Sequence, residues 1–186
     1  LYRLQYPAPK LGASAELGLD SLLESLIADS AVTDVRWAAY MLATVKHECA
    51  NTWQPIEEYG HGAGKEYGKS VLVEGPDHEK YNNAYYGRGY VQLTWDSNYK
   101  KMDQALGLAG ASSLYLHPEN GLLPKIAYSI MSYGMREGSF TSKKLADYLG
   151  AAKSDYRGAR RIINGQDQAT LIAGYAENIE YLLRFC

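Results

Sequence analysis

The chain has 186 residues, of which 46% are hydrophobic and 22% are charged, a balance typical of a soluble globular domain. Its formal net charge of −2 argues against a nucleic-acid partner, because nucleic-acid-binding proteins carry a basic patch or stripe. No apolar run approaches the roughly 20 residues of a membrane-spanning helix, so no membrane partner is expected. We therefore expect a single domain over residues 1–186, present as a monomer.

The first residue of the chain and its two cysteines are the sequence features that indicate the cellular compartment of the protein. The sequence begins with Leu1 rather than Met, which favours a processed, exported protein, and we expect a secreted one. Two cysteines, Cys49 and Cys186, are too few for a disulfide scaffold. A bridge between them would fit an oxidising compartment, and two unrelated buried thiols are an equal alternative.

Helical patterns dominate the chain. The first two predicted helices are Leu17–Ala28 and Thr33–Cys49, the second with Thr33 or Asp34 as its N-cap. Residues 50–90 lack helical periodicity, and a long irregular stretch inside a compact domain is usually functional. Short strands are predicted in and just after this stretch, near Ile56–Tyr59 and Tyr90–Leu93, with Gly87 and Gly89 at a tight turn. The remaining predicted helices are Asp96–Leu106, Leu122–Arg136, Ser142–Leu149, Asp155–Ile163 and Gln168–Phe185.

Tyrosine is unusually frequent, with 17 Tyr against two Phe. A tyrosine ring offers a flat apolar face and a hydroxyl, which suits contacts with sugar rings at the rim of a polar groove. Tyrosine also replaces phenylalanine in protein cores, and we expect both uses. The cleft-lining share is predicted at Tyr81, Tyr85, Tyr86 and Tyr90.

Glu48 lies where helical periodicity predicts a buried apolar side chain. Trp37 and Met41 belong to the inward stripe of the helix, and steps of eleven and seven residues from them reach Glu48 within about 20° of the same face. Burial disfavours the charged form of a carboxylate, so a buried Glu can keep its proton and act as a general acid. The alternative, a Glu turned to solvent at a frayed helix end, has equal weight on position alone.

A second acidic pair, Glu57 and Glu58, follows in the irregular stretch. If Ile56–Tyr59 is extended, adjacent side chains point to opposite faces, so only one of the two can face the same space as Glu48. Two carboxylates in different environments are the basic apparatus of glycoside hydrolysis. A solvated surface pair is the alternative.

Other catalytic classes find little support. His47-Glu48 begins like a zinc-binding His-Glu-x-x-His helix, but Asn51 stands where the second histidine is required. No Ser lies at a strand-to-helix elbow, and Cys49 projects about 100° around the helix from Glu48. We therefore expect neither a metal nor another cofactor.

The segment Asn82–Tyr99 (NNAYYGRGYVQLTWDSNY) resembles the family 19 chitinase signature. In that signature a Tyr-Tyr-Gly-Arg-Gly turn leads into Gln-Leu-Ser/Thr and then Asn-Tyr. His47-Glu48 is similar to the His-Glu of the family's catalytic helix, and Arg161–Gly165 is similar to its Ile-Asn-Gly segment. The resemblance implies a mainly α, lysozyme-like α+β fold, with a helical bundle and a small β-excursion lining a deep cleft.

The same resemblance implies catalytic roles. Glu48 would be the general acid, and Glu57 the second carboxylate, with Glu58 as the alternative. Thr94 would hold the attacking water through its hydroxyl. Arg88 would brace the carboxylates rather than touch the substrate. The implied substrate-binding residues are Tyr86, Gln92, Asn98 and Asn164.

The sequence differs from the plant-type family 19 chitinases in features that help to predict the substrate. The chain lacks their set of cysteines, and Ala173 and its neighbours stand where the last helix should carry an Arg. Segment Gly87–Trp95 (GRGYVQLTW) resembles chitinase-like endolysins, which cut peptidoglycan. We therefore predict a muramidase that cleaves the β-1,4 bond between N-acetylmuramic acid and N-acetylglucosamine. The alternative is an endochitinase acting on N-acetylglucosamine polymers.

Overall fold

The computed structural model describes residues 11–76 and 78–185, and these form two compact units. The first unit combines the described residues up to Gln54 with those from Met131 onward, and the second is Pro55–Ile130. In the described part of the chain, no helix is both long and apolar enough to cross a membrane. A single domain over residues 1–186 stays a prediction.

Helices dominate the first unit, the second unit is largely irregular, and the strands are short. The helices are α1 (Ala13–Ala28), α2 (Val35–Glu48), α3 (Asp96–Leu106), α4 (Pro124–Glu137), α5 (Tyr156–Ala159) and α6 (Ala169–Arg184). The strands are β1 (Ile56–Glu57), β2 (Val71–Glu74), β3 (Lys80–Asn83), β4 (Arg88–Gly89), β5 (Leu149–Gly150) and β6 (Lys153–Ser154). Single 3₁₀ turns lie at Glu66–Gly68, Gly110–Ser112, Pro118–Leu122, Leu145–Asp147 and Arg160–Ile162.

Helix α2 forms the centre of the first unit and packs along α6. Its residues are buried without interruption from Ala38 to Lys46, as expected for a helix surrounded by protein on all sides. The Asp34 side chain caps its N-terminus by accepting a hydrogen bond of 2.9 Å from the backbone N–H of Arg36. The helix ends at Glu48, so this residue extends from a rigid, fully packed element.

The second unit carries the irregular stretch and two small antiparallel sheets. Strand β1 pairs with β4, so that Ile56 lies opposite Gly89 and Glu57 lies opposite Arg88. Strands β2 and β3 form a hairpin that the sequence did not predict. The unit's most buried large side chains are Tyr85, Tyr90, Tyr99, Met102 and Leu114.

The predicted cleft tyrosines divide between core and surface. Tyr85 and Tyr90 are each 1% exposed, so the prediction that they line a cleft is wrong. The Tyr85 ring packs against Tyr99 and Tyr115, with ring centroids 5.2 and 5.5 Å away, and this aromatic cluster holds it inside.

Several predicted elements differ from the structure. A helix over Ser142–Leu149 is wrong, because this segment forms only one 3₁₀ turn. A strand over Tyr90–Leu93 is also wrong. Gly89 and Gln92 have φ of +88° and +54°, and this left-handed geometry turns the chain back so that Leu93 bridges Arg88. Helix α3 has the predicted bounds.

Candidate active site

Glu48 is mostly buried and is paired with a buried arginine. Its side chain is 18% exposed, and that of Arg160 is 3% exposed. Arg160 Nη1 donates a hydrogen bond of 2.6 Å to Glu48 Oε1. This charge-assisted hydrogen bond occupies one of the two oxygens of the carboxylate.

Arg160 is held from its other side by the backbone. It begins the 3₁₀ turn after α5, and its Nε donates to the carbonyl of Asp167 at 3.0 Å. No role was predicted for this residue, although it directly precedes the matched segment Arg161–Gly165. The available signal is the pair of consecutive arginines, of which Arg160 is buried and Arg161 is exposed.

The surroundings of Cys49, next to Glu48, favour its protonated thiol. Burial, followed by the negative charge of Glu48, raises the pKa of the Cys49 thiol to about 12. The predicted partner Cys186 lies outside the described residues. Burial also raises the pKa of Tyr40, which lies on the same helix.

Asn164, the predicted sugar ligand of the first unit, is exposed. Its side-chain Oδ1 accepts a hydrogen bond of 2.8 Å from the backbone N–H of Gly165. The backbone N–H of Asn164 donates to the Arg160 carbonyl. The same short segment thus presents Asn164 and anchors the arginine that binds Glu48.

In the second unit, Glu57 is the more exposed of the two candidate carboxylates. Its side chain is 37% exposed, and Tyr86 donates its hydroxyl to Oε1 at 2.8 Å. Arg88 Nε lies 3.6 Å from the same oxygen, and His61 Nε2 lies 3.4 Å from Oε2. Burial, followed by the hydrogen bond to Glu57, raises the pKa of the Tyr86 hydroxyl, which therefore remains a donor.

Glu58 has a different set of partners. Its Oε1 accepts from the Tyr67 hydroxyl at 2.8 Å, and its Oε2 accepts from the backbone N–H of Gly87 at 3.0 Å. The hydrogen bond to Glu58 is the main cause that raises the pKa of Tyr67. Because both oxygens of Glu58 hold neighbouring chain segments, we infer that this carboxylate anchors the loop.

Arg88 is 6% exposed and lies beside the Glu57 carboxylate, and its predicted role in bracing the carboxylates stays a prediction. Its Nη1 donates to the Ala84 carbonyl at 2.9 Å and to the Tyr99 hydroxyl at 3.2 Å. Its guanidinium lies 3.6 Å from the centre of the Tyr86 ring, which favours a cation–π contact. The flanking Gly89 is required, because a Cβ there would lie 2.9 Å from the Gly121 carbonyl oxygen.

The side-chain amides of Gln92 and Asn98 donate hydrogen bonds to backbone carbonyls of the protein. Gln92 Nε2 donates to the carbonyls of Ile56 and Gly89, at 3.1 and 3.0 Å, and so ties β1 to β4. Asn98 Nδ2 donates to the Thr94 carbonyl at 2.9 Å. Their predicted contacts with sugar stay predictions.

Thr94 lies just before a strained position. Its side chain is partly exposed, and within the described part of the chain its hydroxyl makes no hydrogen bond. The next residue, Trp95, has a φ of +72°, which is rare for a bulky residue, and is 46% exposed. Such strain is characteristic of functional sites.

No group of three His, Cys, Asp or Glu side chains within residues 11–76 and 78–185 has the arrangement of a metal site.

Comparison with known proteins finds a shared fold. Chitinase C from Streptomyces griseus HUT6037 matches with a TM-score of 0.66 and 21% identity, over 98% of this chain and 74% of that one. A bacterial family 19 chitinase with reported differences from plant enzymes matches with a TM-score of 0.58 and 20% identity, over 98% and 92% of the two chains. A variant of chitinase C gives a TM-score of 0.54 at 19% identity, over 98% and 88%. No protein-family model and no curated protein sequence matches the chain. The predicted mainly α fold is confirmed.

Proposed function

We propose, from the premise that this chain has the fold of bacterial family 19 chitinases, that it is a glycoside hydrolase. It cleaves β-1,4 bonds next to N-acetylated sugars. The observation that carries the proposal is a pair of carboxylates in contrasting surroundings on that fold. Glu48 is nearly buried against Arg160, whereas Glu57 is more exposed and bound by Tyr86. Glycoside hydrolases use two carboxylates in different roles, one that protonates the leaving oxygen and one that acts as a base or as a nucleophile.

In the proposed reaction, Glu48 is the general acid. Arg160 occupies Oε1, and Oε2 gives its proton to the glycosidic oxygen. The carboxylate left behind is stabilised at once by the hydrogen bond from Arg160, which lowers the free energy of the charged state that forms during bond cleavage.

Glu57 is the general base in this proposal. Tyr86 and Arg88 act on its Oε1, and Oε2 takes the proton of the attacking water. Thr94 orients that water through its hydroxyl. We propose Glu57 rather than Glu58 as the base because Glu57 is the more exposed of the two, whereas Glu58 is less exposed and is bound by Tyr67 and by the backbone N–H of Gly87.

We propose a chitin-type polymer of N-acetylglucosamine as the substrate. The support is that the solved structures sharing this fold are described as chitinases. This favours the second of the two activities predicted from the sequence. Peptidoglycan is the second candidate, favoured by the resemblance of Gly87–Trp95 to chitinase-like endolysins. Either polymer lies outside the cell, so we propose that the protein acts there.

Product analysis tests the proposal. The protein is incubated with chitohexaose and, separately, with purified bacterial sacculi, and the products are identified by mass spectrometry. Shorter chitin oligomers support the chitinase, and muropeptides with reducing N-acetylmuramic acid ends support the muramidase. Anhydro-muramic ends would instead identify a lytic transglycosylase. If neither polymer is cut, the proposed function is wrong.

The stereochemistry of the product gives independent information on the two carboxylates. Immediate ¹H NMR of the reaction reveals the anomer that forms first. Inversion requires carboxylates about 6.5–9.5 Å apart, to admit a water, whereas retention requires about 5–5.5 Å. With Glu57 as a base that activates water, we expect the inverted anomer.

A further inference from the structure

His61 contacts the carboxylate of Glu57 at the oxygen that Tyr86 does not hold. Its Nε2 lies 3.4 Å from Glu57 Oε2, whereas the Tyr86 hydroxyl binds Oε1 at 2.8 Å. The His61 ring also stacks on the Tyr86 ring, with centroids 4.7 Å apart and planes 15° apart. The two aromatic side chains therefore form one assembly that reaches both oxygens of the same carboxylate.

The backbone at His61 is held in an unusual conformation. Its φ is +50°, and the flanking Gly60 and Gly62 have φ of +78° and +71°. A non-glycine residue in the left-handed region is uncommon and is retained where the surrounding structure requires it. The backbone N–H of His61 donates to the Glu58 carbonyl at 3.0 Å, which closes a turn directly after the two glutamates. This turn brings the imidazole back to Glu57, four residues earlier.

Contacts at both carboxylate oxygens restrict the terminal side-chain torsion of Glu57, which otherwise rotates easily. The terminal torsion of a glutamate is broad and nearly two-fold, so one hydrogen bond to Oε1 leaves the carboxylate free to rotate. A second contact at Oε2 removes this freedom. The separation of 3.4 Å is longer than a hydrogen bond, and such contacts often shorten only when substrate binds.

We propose that His61 is a positioning residue for Glu57, and that it sets the rotation of the carboxylate so that Oε2 faces the attacking water. This inference rests on the proposed function, because it assigns a role to the base of that reaction. His61 contacts Glu57 and Tyr86, and the guanidinium of Arg88 also lies over the Tyr86 ring.

Two substitutions distinguish the effect of the ring nitrogen of His61 from the effect of its aromatic ring. His61→Phe keeps an aromatic ring for the stack on Tyr86 and removes the nitrogen. His61→Gln removes the ring and keeps an N–H donor of similar reach. The matched control is His78→Phe, since His78 also has a positive φ, of +63°, and also pairs with a glutamate four residues earlier, Glu74, at 2.6 Å.

The kinetic readout is the split between kcat and KM on whichever polymer the wild type cuts. We expect His61→Phe to lower kcat about 10-fold with KM within about two-fold, because a misplaced base slows the chemical step. His61→Gln should recover most of kcat, and His78→Phe should match the wild type. Wild-type kcat in His61→Phe, or equal losses in both His61 variants, overturns the proposal.

A crystallographic readout keeps this inference separate from the proposed function. In His61→Phe we expect the Glu57 carboxylate to rotate or to lose density at Oε2, and in His61→Gln we expect it to keep its orientation. An unchanged, well-ordered carboxylate in His61→Phe overturns the positioning role even if the wild type cuts no polymer. A wild type that cuts neither polymer, with a rotated carboxylate in His61→Phe, refutes the function and leaves the positioning role supported.

Discussion

Arg160 Nη1 donates to Glu48 Oε1 at 2.6 Å and joins two residues that lie 112 positions apart in the chain. Both side chains are largely withdrawn from water. The residue proposed as general acid is thus bound to a fixed cation that can stabilise it after the proton has left.

Replacing Arg160 with methionine should destabilise the protein and slow the reaction. The substitution keeps the volume of the side chain and leaves Glu48 without its buried partner, a change that costs about 3 kcal/mol in comparable buried pairs. Urea denaturation measures the loss in the free energy of unfolding, and kcat on the accepted polymer measures the loss in rate.

The control for this change is Arg161→Met, because Arg161 is adjacent in the chain and exposed. It should alter the free energy of unfolding by less than about 0.5 kcal/mol. Equal effects of the two substitutions would contradict a special role for the Arg160–Glu48 pair.

The two neighbouring glutamates should respond differently to conversion into glutamine. Glu57→Gln can still accept from Tyr86 at Oε1, so stability should hold while kcat falls about 100-fold or more through loss of the base. Glu58→Gln replaces one of two acceptor oxygens with a donor. It should cost about 1 kcal/mol, because the charge-assisted hydrogen bonds with Tyr67 and Gly87 become neutral ones.

Thermal unfolding and steady-state kinetics on both variants distinguish these outcomes. If Glu58→Gln abolishes turnover at unchanged stability, the assignment of the base to Glu57 is wrong.

Gln92→Leu tests whether this residue ties the strands together or binds sugar. The substitution removes both hydrogen bonds that connect it to the carbonyls of Ile56 and Gly89. A tie between β1 and β4 predicts a lower free energy of unfolding, by about 1–3 kcal/mol. A sugar ligand predicts a higher KM at unchanged stability, and measuring both quantities decides between the two roles.

Stability should fall in alkaline solution because tyrosines are buried in the second unit. Burial is the main cause that raises the pKa of Tyr85 and of Tyr99 to about 12. The unfolded value is about 10, so the folded state holds these protons more tightly. This contribution is fully present below about pH 10 and is lost as the pH rises toward 12, by up to about 1.4 kcal/mol per pH unit for each tyrosine.

Urea denaturation between pH 9 and pH 12 measures this slope. Tyr85→Phe removes one of the two groups, together with its hydrogen bond to the Tyr115 carbonyl, and should make the decline shallower. A variant whose slope equals that of the wild type would contradict the assignment.

Periodicity was sufficient to predict the helix that carries Glu48. The predicted bounds Thr33–Cys49 differ from Val35–Glu48 by one or two residues at each end, which is the usual uncertainty at helix ends. A residue's place on a helix face follows from local spacing alone. Glu48 is mostly buried, which agrees with the first of the two alternatives that its position left open.

Arg160 and His61 were beyond the reach of the sequence for physical reasons. Arg160 contacts Glu48 only through the tertiary packing of the first unit. No local sequence pattern indicates a contact between two residues that are 112 positions apart. His61 approaches Glu57 only because three consecutive residues adopt positive φ, and one of them is a histidine, for which this conformation is not the default. The buried Tyr85 and Tyr90 show a third limit, since a tyrosine in a core and a tyrosine in a cleft have the same sequence signal.

The most direct test of the central claim is the turnover of Glu48→Gln on the polymer that the wild type cuts. Glutamine keeps an oxygen to accept the hydrogen bond from Arg160, so the fold and sugar binding should be preserved. If Glu48 is the general acid, kcat falls about 1,000-fold or more while the dissociation constant for chitohexaose or a muropeptide, measured by calorimetry, stays within about three-fold. Wild-type turnover in Glu48→Gln would contradict the account.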